Sequence, residues 1–366
     1  MKTGATIYEA SSHSGGICRS YKKGSFEFAV GGGHWLFGEN KGLEFIKTLV
    51  PLTEHIRRAG IYYNTFFDYP IQTFSEQDSS AKKGSMKDTV HERFSKGTYN
   101  LFLDSFNEKY TFGLYDEIVD IDRYKTPEPK GQGFCAKFWN PVGGMNTLID
   151  KMSEKCDIRF NHKVWAINTQ EKVLIYLVPT KGDDWREFKE ESVKYDRLIS
   201  TLPLGRMLAI CRQGDSENKL PFTSVWCLNI GAKPGRNFPS HHWLYIPFSK
   251  NNFYRVGIYT NVDPTMAPEG CVSLSVEMAC DRGNWVEDPK RIQGVIEELQ
   301  DWGWISEVIT AEPTFIPTAY TWNYTTEERE KGIAWLKERD IISTGRYGSW
   351  KFQGITQSIQ QGIEIE

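Results

Sequence analysis

Four short stretches hold residues whose types and spacing could act on a bound small molecule. In "ATIYEASSHSGGICRS" (5–20), a short apolar strand ends at Glu9. An acidic residue there accepts hydrogen bonds from a ribose hydroxyl in a dinucleotide site, and a solvated strand-end glutamate reads the same way. Gly15-Gly16 follow, then Arg19-Ser20. A glycine pair lets backbone N–H groups approach a ligand closely, and an arginine matches diphosphate oxygens; an ordinary loop is the plainer alternative. In "GSFEFAVGGGHWLFG" (24–38), a strand runs into Gly31-Gly32-Gly33-His34. Three successive glycines cost backbone entropy, which a flat object lying on the backbone with His34 beside it would explain. Val164 and the Ser200-Thr201-Leu202-Pro203 strand end are weaker signals. Gly345-Arg346-Tyr347-Gly348-Ser349-Trp350 form a turn before a helix, whose free N–H groups attract electron-rich atoms.

Positioning these stretches takes more than one domain's worth of chain. The 366 residues carry a net charge of −3, with 39% hydrophobic and 25% charged residues, which fits a soluble globular enzyme with a sizeable core. Scattered Lys and Arg give no electrostatic reason for a nucleic-acid partner. Aromatic content of 14%, with 12 Trp and 17 Tyr, suits both a large core and a pocket for flat or sugar-like ligands. The seven cysteines are dispersed without a C-x-x-C pair, and His241-His242 is the only His pair, so no metal site is expected. No transmembrane segment or signal peptide is read, so a cytoplasmic location is expected. Residues 39–60 carry Leu43, Ile46, Leu49 and Ile56 at helical spacing, and 98–112 and 143–156 read as helical. Residues 158–178 alternate as paired strands, and 195–204 reads as a buried strand. Strand-like runs through 220–280 predict a largely antiparallel sheet, and 288–304 an amphipathic helix.

In chain order, E-x(5)-GG-x-x-RS, GGH, F-W-x-P-x-GG, Y-D-x-L-I-S-T-x-P and G-R-Y-G-x-W resemble the FAD-dependent amine oxidase and protoporphyrinogen oxidase superfamily. "VGGGHWLF" (30–37), "WLYIPFSKNNFYRVGIYTN" (243–261) and "GRYGSWKF" (345–352) are closest to the eukaryotic-type UDP-galactopyranose mutases within it. The resemblance implies an α/β (α+β overall) fold. Residues 1–45, 130–215 and 335–366 would form a discontinuous, Rossmann-like FAD-binding domain. Residues 46–129 would be a mainly helical insertion, and 216–334 a substrate-binding antiparallel sheet with a helix.

The same resemblance implies that reduced FAD supplies N5 as nucleophile toward the sugar of a UDP-sugar, converting pyranose to furanose without net oxidation. It implies phosphate-clamping roles for Arg255 and Arg123 and a flavin-facing His34. Tyr245, Asn107, Asn261 and Tyr320 would line the substrate side. Glu9, Gly15, Gly16, Arg19, Gly32, Gly33, Val164, Thr201, Gly345, Arg346, Gln357 and Ser358 would contact the cofactor. Thr111, Phe352 and Val262 depart from the mutase pattern, where larger or hydroxylated rings stand, so the sugar, or even the ligand class, could differ. An FAD-dependent oxidoreductase is the alternative. The superfamily's opening strand, G-x-G-x-x-G turn and helix are not found upstream of Ala5, which leads to the expectation that FAD affinity collapses and the fold is destabilised, with a truncated, inactive fragment as the further alternative.

Overall fold

The computed structural model describes residues 4–69, 84–119, 136–211, 219–281 and 288–365. Its largest element is a seven-stranded sheet. Phe222–Pro234 (β14), Val272–Cys280 (β17) and Ile305–Thr321 (β18) are long strands that pair antiparallel, in the order β18-β14-β17. Arg255–Ile258 (β16) and Trp243–Tyr245 (β15) extend the sheet, followed by Ala59–Tyr62 (β6) and Phe66–Asp68 (β7). Every pairing is antiparallel except β15 with β6. The antiparallel cluster expected over 220–280 is therefore present, but it also recruits residues 59–68.

The sheet's central strands β14 and β17 are buried along almost their whole length. On one face lies Pro289–Asp301 (α7), started by Pro289 and by the Asp288 carboxylate accepting from the Lys290 N–H. It buries Val295 and Leu299 against Trp226, Leu228 and Val276. On the other face pack Met86–Arg93 (α2), Lys96–Thr98 (α3) and Asp104–Thr111 (α4), the last two joined by a π-helical turn over Tyr99–Leu103. Phe102, Phe106 and Tyr110 from this layer meet Tyr245, Tyr254 and Trp322.

The rest of the fold comes from separated segments. Thr6–Tyr8 (β1) pairs parallel with Asp157–Arg159 (β9), and Leu198–Ser200 (β13) pairs parallel with Ile341–Ser343 (β19). Among the described residues each pair stands as a two-stranded unit. Ser20–Lys23 (β2) and Phe26–Ala29 (β3) form a hairpin. Leu36–Phe37 (β4), Leu52–Ile56 (β5) and Lys137–Pro141 (β8) form a small antiparallel sheet. Lys163–Asn168 (β10), Val173–Pro179 (β11) and Phe188–Lys194 (β12) form another, as the alternation over 158–178 predicts. Lys41–Lys47 (α1), Met145–Ser153 (α5), Leu204–Ile210 (α6), Thr326–Lys337 (α8), Gly345–Gly348 (α9) and Ile355–Ile363 (α10) are the remaining α-helices among the described residues. No helix among the described residues is long and apolar enough to cross a membrane.

Two expectations are corrected. The helical spacing over 39–60 is realised only in α1. Pro51 bars its continuation, and residues 52–62 pair as strands instead. Strand β13 is found within 195–204, but Ile199 is half-exposed rather than buried.

Candidate active site

A cavity of about 1480 Å³ lies between the seven-stranded sheet and the segments that pack beside it. Its wall collects residues from across the chain: Gly31, Gly33, His34 and Trp35 after β3; Arg255, Glu277 and Tyr320 from the sheet; and Arg346, Gln357 and Ser358 from the C-terminal helices. It continues past Thr201 to Ile7 of β1 and Ile199 of β13.

His34 sits on the glycine run, with Nδ1 2.9 Å from the Gly32 carbonyl oxygen. A carbonyl only accepts, so Nδ1 carries the proton and Nε2 is left as a bare acceptor. Burial lowers the His34 pKa to about 4; the Gly32 hydrogen bond opposes this, and Arg346 adds to it. The ring is therefore neutral at pH 7. Gly32 has φ +80°, and a Cβ there would come within 2.8 Å of a Glu277 carboxylate oxygen. The glycine run thus lies directly against a buried acid. Trp35 stacks on Trp243 with centroids 5.1 Å apart.

Arg255 and Glu277 are opposite each other in the β16–β17 register. Nε donates to Oε1 at 2.8 Å and NH2 to Oε2 at 2.5 Å. The NH2 group also donates to the Tyr320 hydroxyl at 3.2 Å, and the Tyr254 hydroxyl donates to Glu277 Oε2 at 3.2 Å. Burial disfavours the guanidinium's charge, but Glu277, with Tyr320 and Tyr254, more than offsets it, so the Arg255 pKa is raised and the group stays protonated. Arg346 approaches the other side of this cluster. Its guanidinium lies over the rings of Phe352 at 4.9 Å and Tyr320 at 5.2 Å, and it donates to the Ala319 carbonyl at 3.0 Å.

Of the residues singled out from sequence, Gly33, His34, Thr201, Arg255, Tyr320, Gly345, Arg346, Gln357 and Ser358 line the one cavity. Others stand back from its wall. The Glu9 carboxylate accepts from the backbone N–H and hydroxyl of Ser11, at 2.8 and 2.7 Å. Gly15 and Gly16 precede the lining residues Ile17 and Cys18, and the Arg19 carbonyl accepts from Val30 N–H. Gly32 lies behind its lining neighbours, and Val164 is in β10. Tyr245 is buried among Tyr69, Phe102 and Phe106, and burial raises its pKa to about 12. Asn107 is fully buried in α4. The Asn261 amide is committed to the carbonyls of Pro239 and His241. Arg123 lies outside the described residues.

Sequence reading missed Glu277, Trp35, Cys18 and Tyr347. Glu277 carried one usable signal, a lone carboxylate inside the otherwise uncharged run "CVSLSVEMAC". Burial pushes the Cys18 thiol up to about 11, against the pull of Arg346.

The wall fits a flat, polar-edged cofactor. The glycine run has no room for side chains: a Cβ on Gly31 or Gly33 would meet His34 or Trp35 within 2.6 Å. At the other side, the Thr344 and Tyr347 hydroxyls are buried without a hydrogen-bond partner among the described residues, and both residues line the cavity.

Known proteins point the same way. The model of the flavin containing amine oxidoreductase family matches residues 65–303. The chain is similar to a crystal structure of reduced UDP-galactopyranose mutase, at 21% identity and a TM-score of 0.82, over 98% of this chain and 88% of that one. It is also similar to putrescine oxidase bound to putrescine (12% identity, TM-score 0.68, 97% and 91% covered). A CLA-producing fatty acid isomerase from P. acnes shares the fold as well (12% identity, TM-score 0.65, 97% and 90% covered). No curated protein matches the chain.

Proposed function

Because the chain belongs to the flavin containing amine oxidoreductase family, we propose that it binds FAD and isomerises a nucleotide sugar between pyranose and furanose forms, in the manner of a UDP-galactopyranose mutase. One observation carries the reading: Arg255, neutral His34 and Tyr320 line the same cavity as the glycine run. In this reading, Gly31–Gly33, Thr201, Gly345, Arg346, Gln357 and Ser358 hold the cofactor, together with Thr344 and Tyr347. Segments 1–45, 130–215 and 335–366 make up its domain. When bound and reduced, the flavin supplies a nucleophile without net redox change. The chain's own residues then bind and orient. Arg255 has NH1 donors left to meet a phosphate oxygen of the substrate. The His34 ring presents Nε2 as an acceptor, able to hold a hydroxyl proton beside the glycine run. The aromatic rings of Trp35 and Tyr320 exclude water.

The test is binding of UDP and UDP-galactose to the dithionite-reduced protein. Binding that appears on reduction supports the mutase reading, and no binding in either redox state removes it. A second reading, an FAD-dependent oxidoreductase, is favoured by the largely apolar wall and by the pairing of Arg255 with Glu277. Its signature is bleaching of the flavin spectrum by an amine under anaerobic conditions, followed by recovery in air.

A further inference from the structure

We infer that Glu277 determines which charge the site accepts, by cancelling Arg255 and restricting it to contact through one nitrogen. This rests on the reading that Arg255 meets the ligand.

An arginine recognises phosphate best through a fork of two nitrogens. Here both forks are used. The Nε–H is given to Glu277, and the two NH2 hydrogens go to Glu277 and to Tyr320. NH1 alone has no protein acceptor among the described residues, so neither two-nitrogen fork of the guanidinium is left for a phosphate. The side chains of Arg255 and Glu277 are only 16% and 3% exposed, so neither charge is dissipated by water. The carboxylate is fixed further by the Tyr254 hydroxyl and lies against Gly32. A ligand at this end of the cavity therefore meets a guanidinium whose charge is already matched. The fitting group is one oxygen of a singly charged phosphate, as each phosphate of a sugar-linked diphosphate is, and a doubly charged terminal phosphate is disfavoured. Glu277 acts through Arg255 and through its own charge, as a specificity-determining residue.

The experiment titrates UDP into the full chain saturated with FAD, comparing wild type, E277Q, R255Q and the double variant R255Q/E277Q. Removing a like charge a few ångströms from the anion should tighten UDP binding in E277Q by on the order of tenfold. The double variant replaces the buried pair by uncharged amides, the change that buried pairs tolerate best, and so keeps the test open if E277Q does not fold. With Arg255 already cancelled, its UDP affinity should fall less than about tenfold from wild type. A drop of about a hundredfold or more would mean that Arg255 clamps the anion uncompensated, and the proposal is then wrong. Unchanged or weaker UDP binding in folded E277Q overturns it equally. R255Q separates the two layers. A loss of affinity in R255Q that persists when the double variant is compared with E277Q shows that Arg255 meets the ligand, whereas no change between those two removes that reading and the role of Glu277 with it.

Discussion

At the scale of single residues, His34 joins the site to the pH dependence of folding. Its pKa is about 4 in the folded protein, held down mainly by burial, against an ordinary value of 6.5. Between those values the unfolded chain binds a proton that the folded chain does not. The stabilisation is therefore complete above pH 6.5 and is lost as pH falls toward 4. At pH 5 the loss from this one ring is about 2 kcal/mol. His242, lowered to about 4 by its burial and by Arg58, adds its own share, so the wild-type trend alone does not isolate His34. His34→Asn keeps a donor for the Gly32 carbonyl but cannot titrate. Urea midpoints at pH 7 and pH 5 should converge more in His34→Asn than in the wild type, by about 2 kcal/mol. Equal acid sensitivity in the two proteins would show that His34 is not a desolvated neutral ring.

Two elements decide whether the site residues arrive together. The β15–β16 connection, residues 246–254, is flanked by Tyr245 at one end and Arg255 at the other. It is gripped from two sides. Lys109 Nζ donates to the Ile246 and Phe253 carbonyls at 2.6 and 2.8 Å. The buried Glu298 carboxylate accepts from Ser249 Oγ, Lys250 N, Asn251 N and Asn251 Nδ2, all within 3.1 Å. Glu298→Gln replaces one acceptor oxygen by a donor that faces other donors. It should cost about 2–3 kcal/mol in urea unfolding and weaken UDP binding by loosening Arg255. Unaltered stability would show that the loop holds itself. The second element is α10, which lines the cavity and packs on α1. Gly42 of α1 lies so close that a Cβ would overlap the Thr356 carbonyl oxygen, which belongs to backbone and cannot swing aside. Gly42→Ala should therefore destabilise by about 1–3 kcal/mol, despite alanine's better helix propensity. A thermal midpoint that rises instead would mean that the two helices are not in contact at this point.

At the scale of the molecule, the cavity wall runs from Gly4 to Ile365, so no local stretch could have displayed it. What was legible were the places where chemistry distorts local sequence: the glycine run at 31–33 with His34, and the Gly345-Arg346 turn, which fold to one wall. The antiparallel strands over 220–280 and the helix near 288–304 were legible because their hydrophobic period is regular. The Arg255–Glu277 pair was not, because it is created by strand register between residues 22 apart. Nor was the commitment of the Asn261 amide to the Pro239 and His241 carbonyls, which depends on how two loops meet. The helical spacing at Leu43, Ile46 and Leu49 runs on to Ile56 only by coincidence, past a proline that ends it. Because the wall exists only in the folded chain, any ligand it holds must stabilise folding by mass action. FAD added to flavin-stripped protein should therefore raise the thermal midpoint with concentration. At a hundredfold excess over the dissociation constant the gain is about 2.7 kcal/mol. Gly31→Leu should abolish the shift, and because its side chain would also press on the Ile17 carbonyl oxygen, 3.1 Å from the Cβ position, the midpoint of the stripped variant is read beside it to separate lost FAD binding from lost stability. A midpoint indifferent to FAD in the wild type would take the flavin, and with it both proposed reactions, out of this cavity.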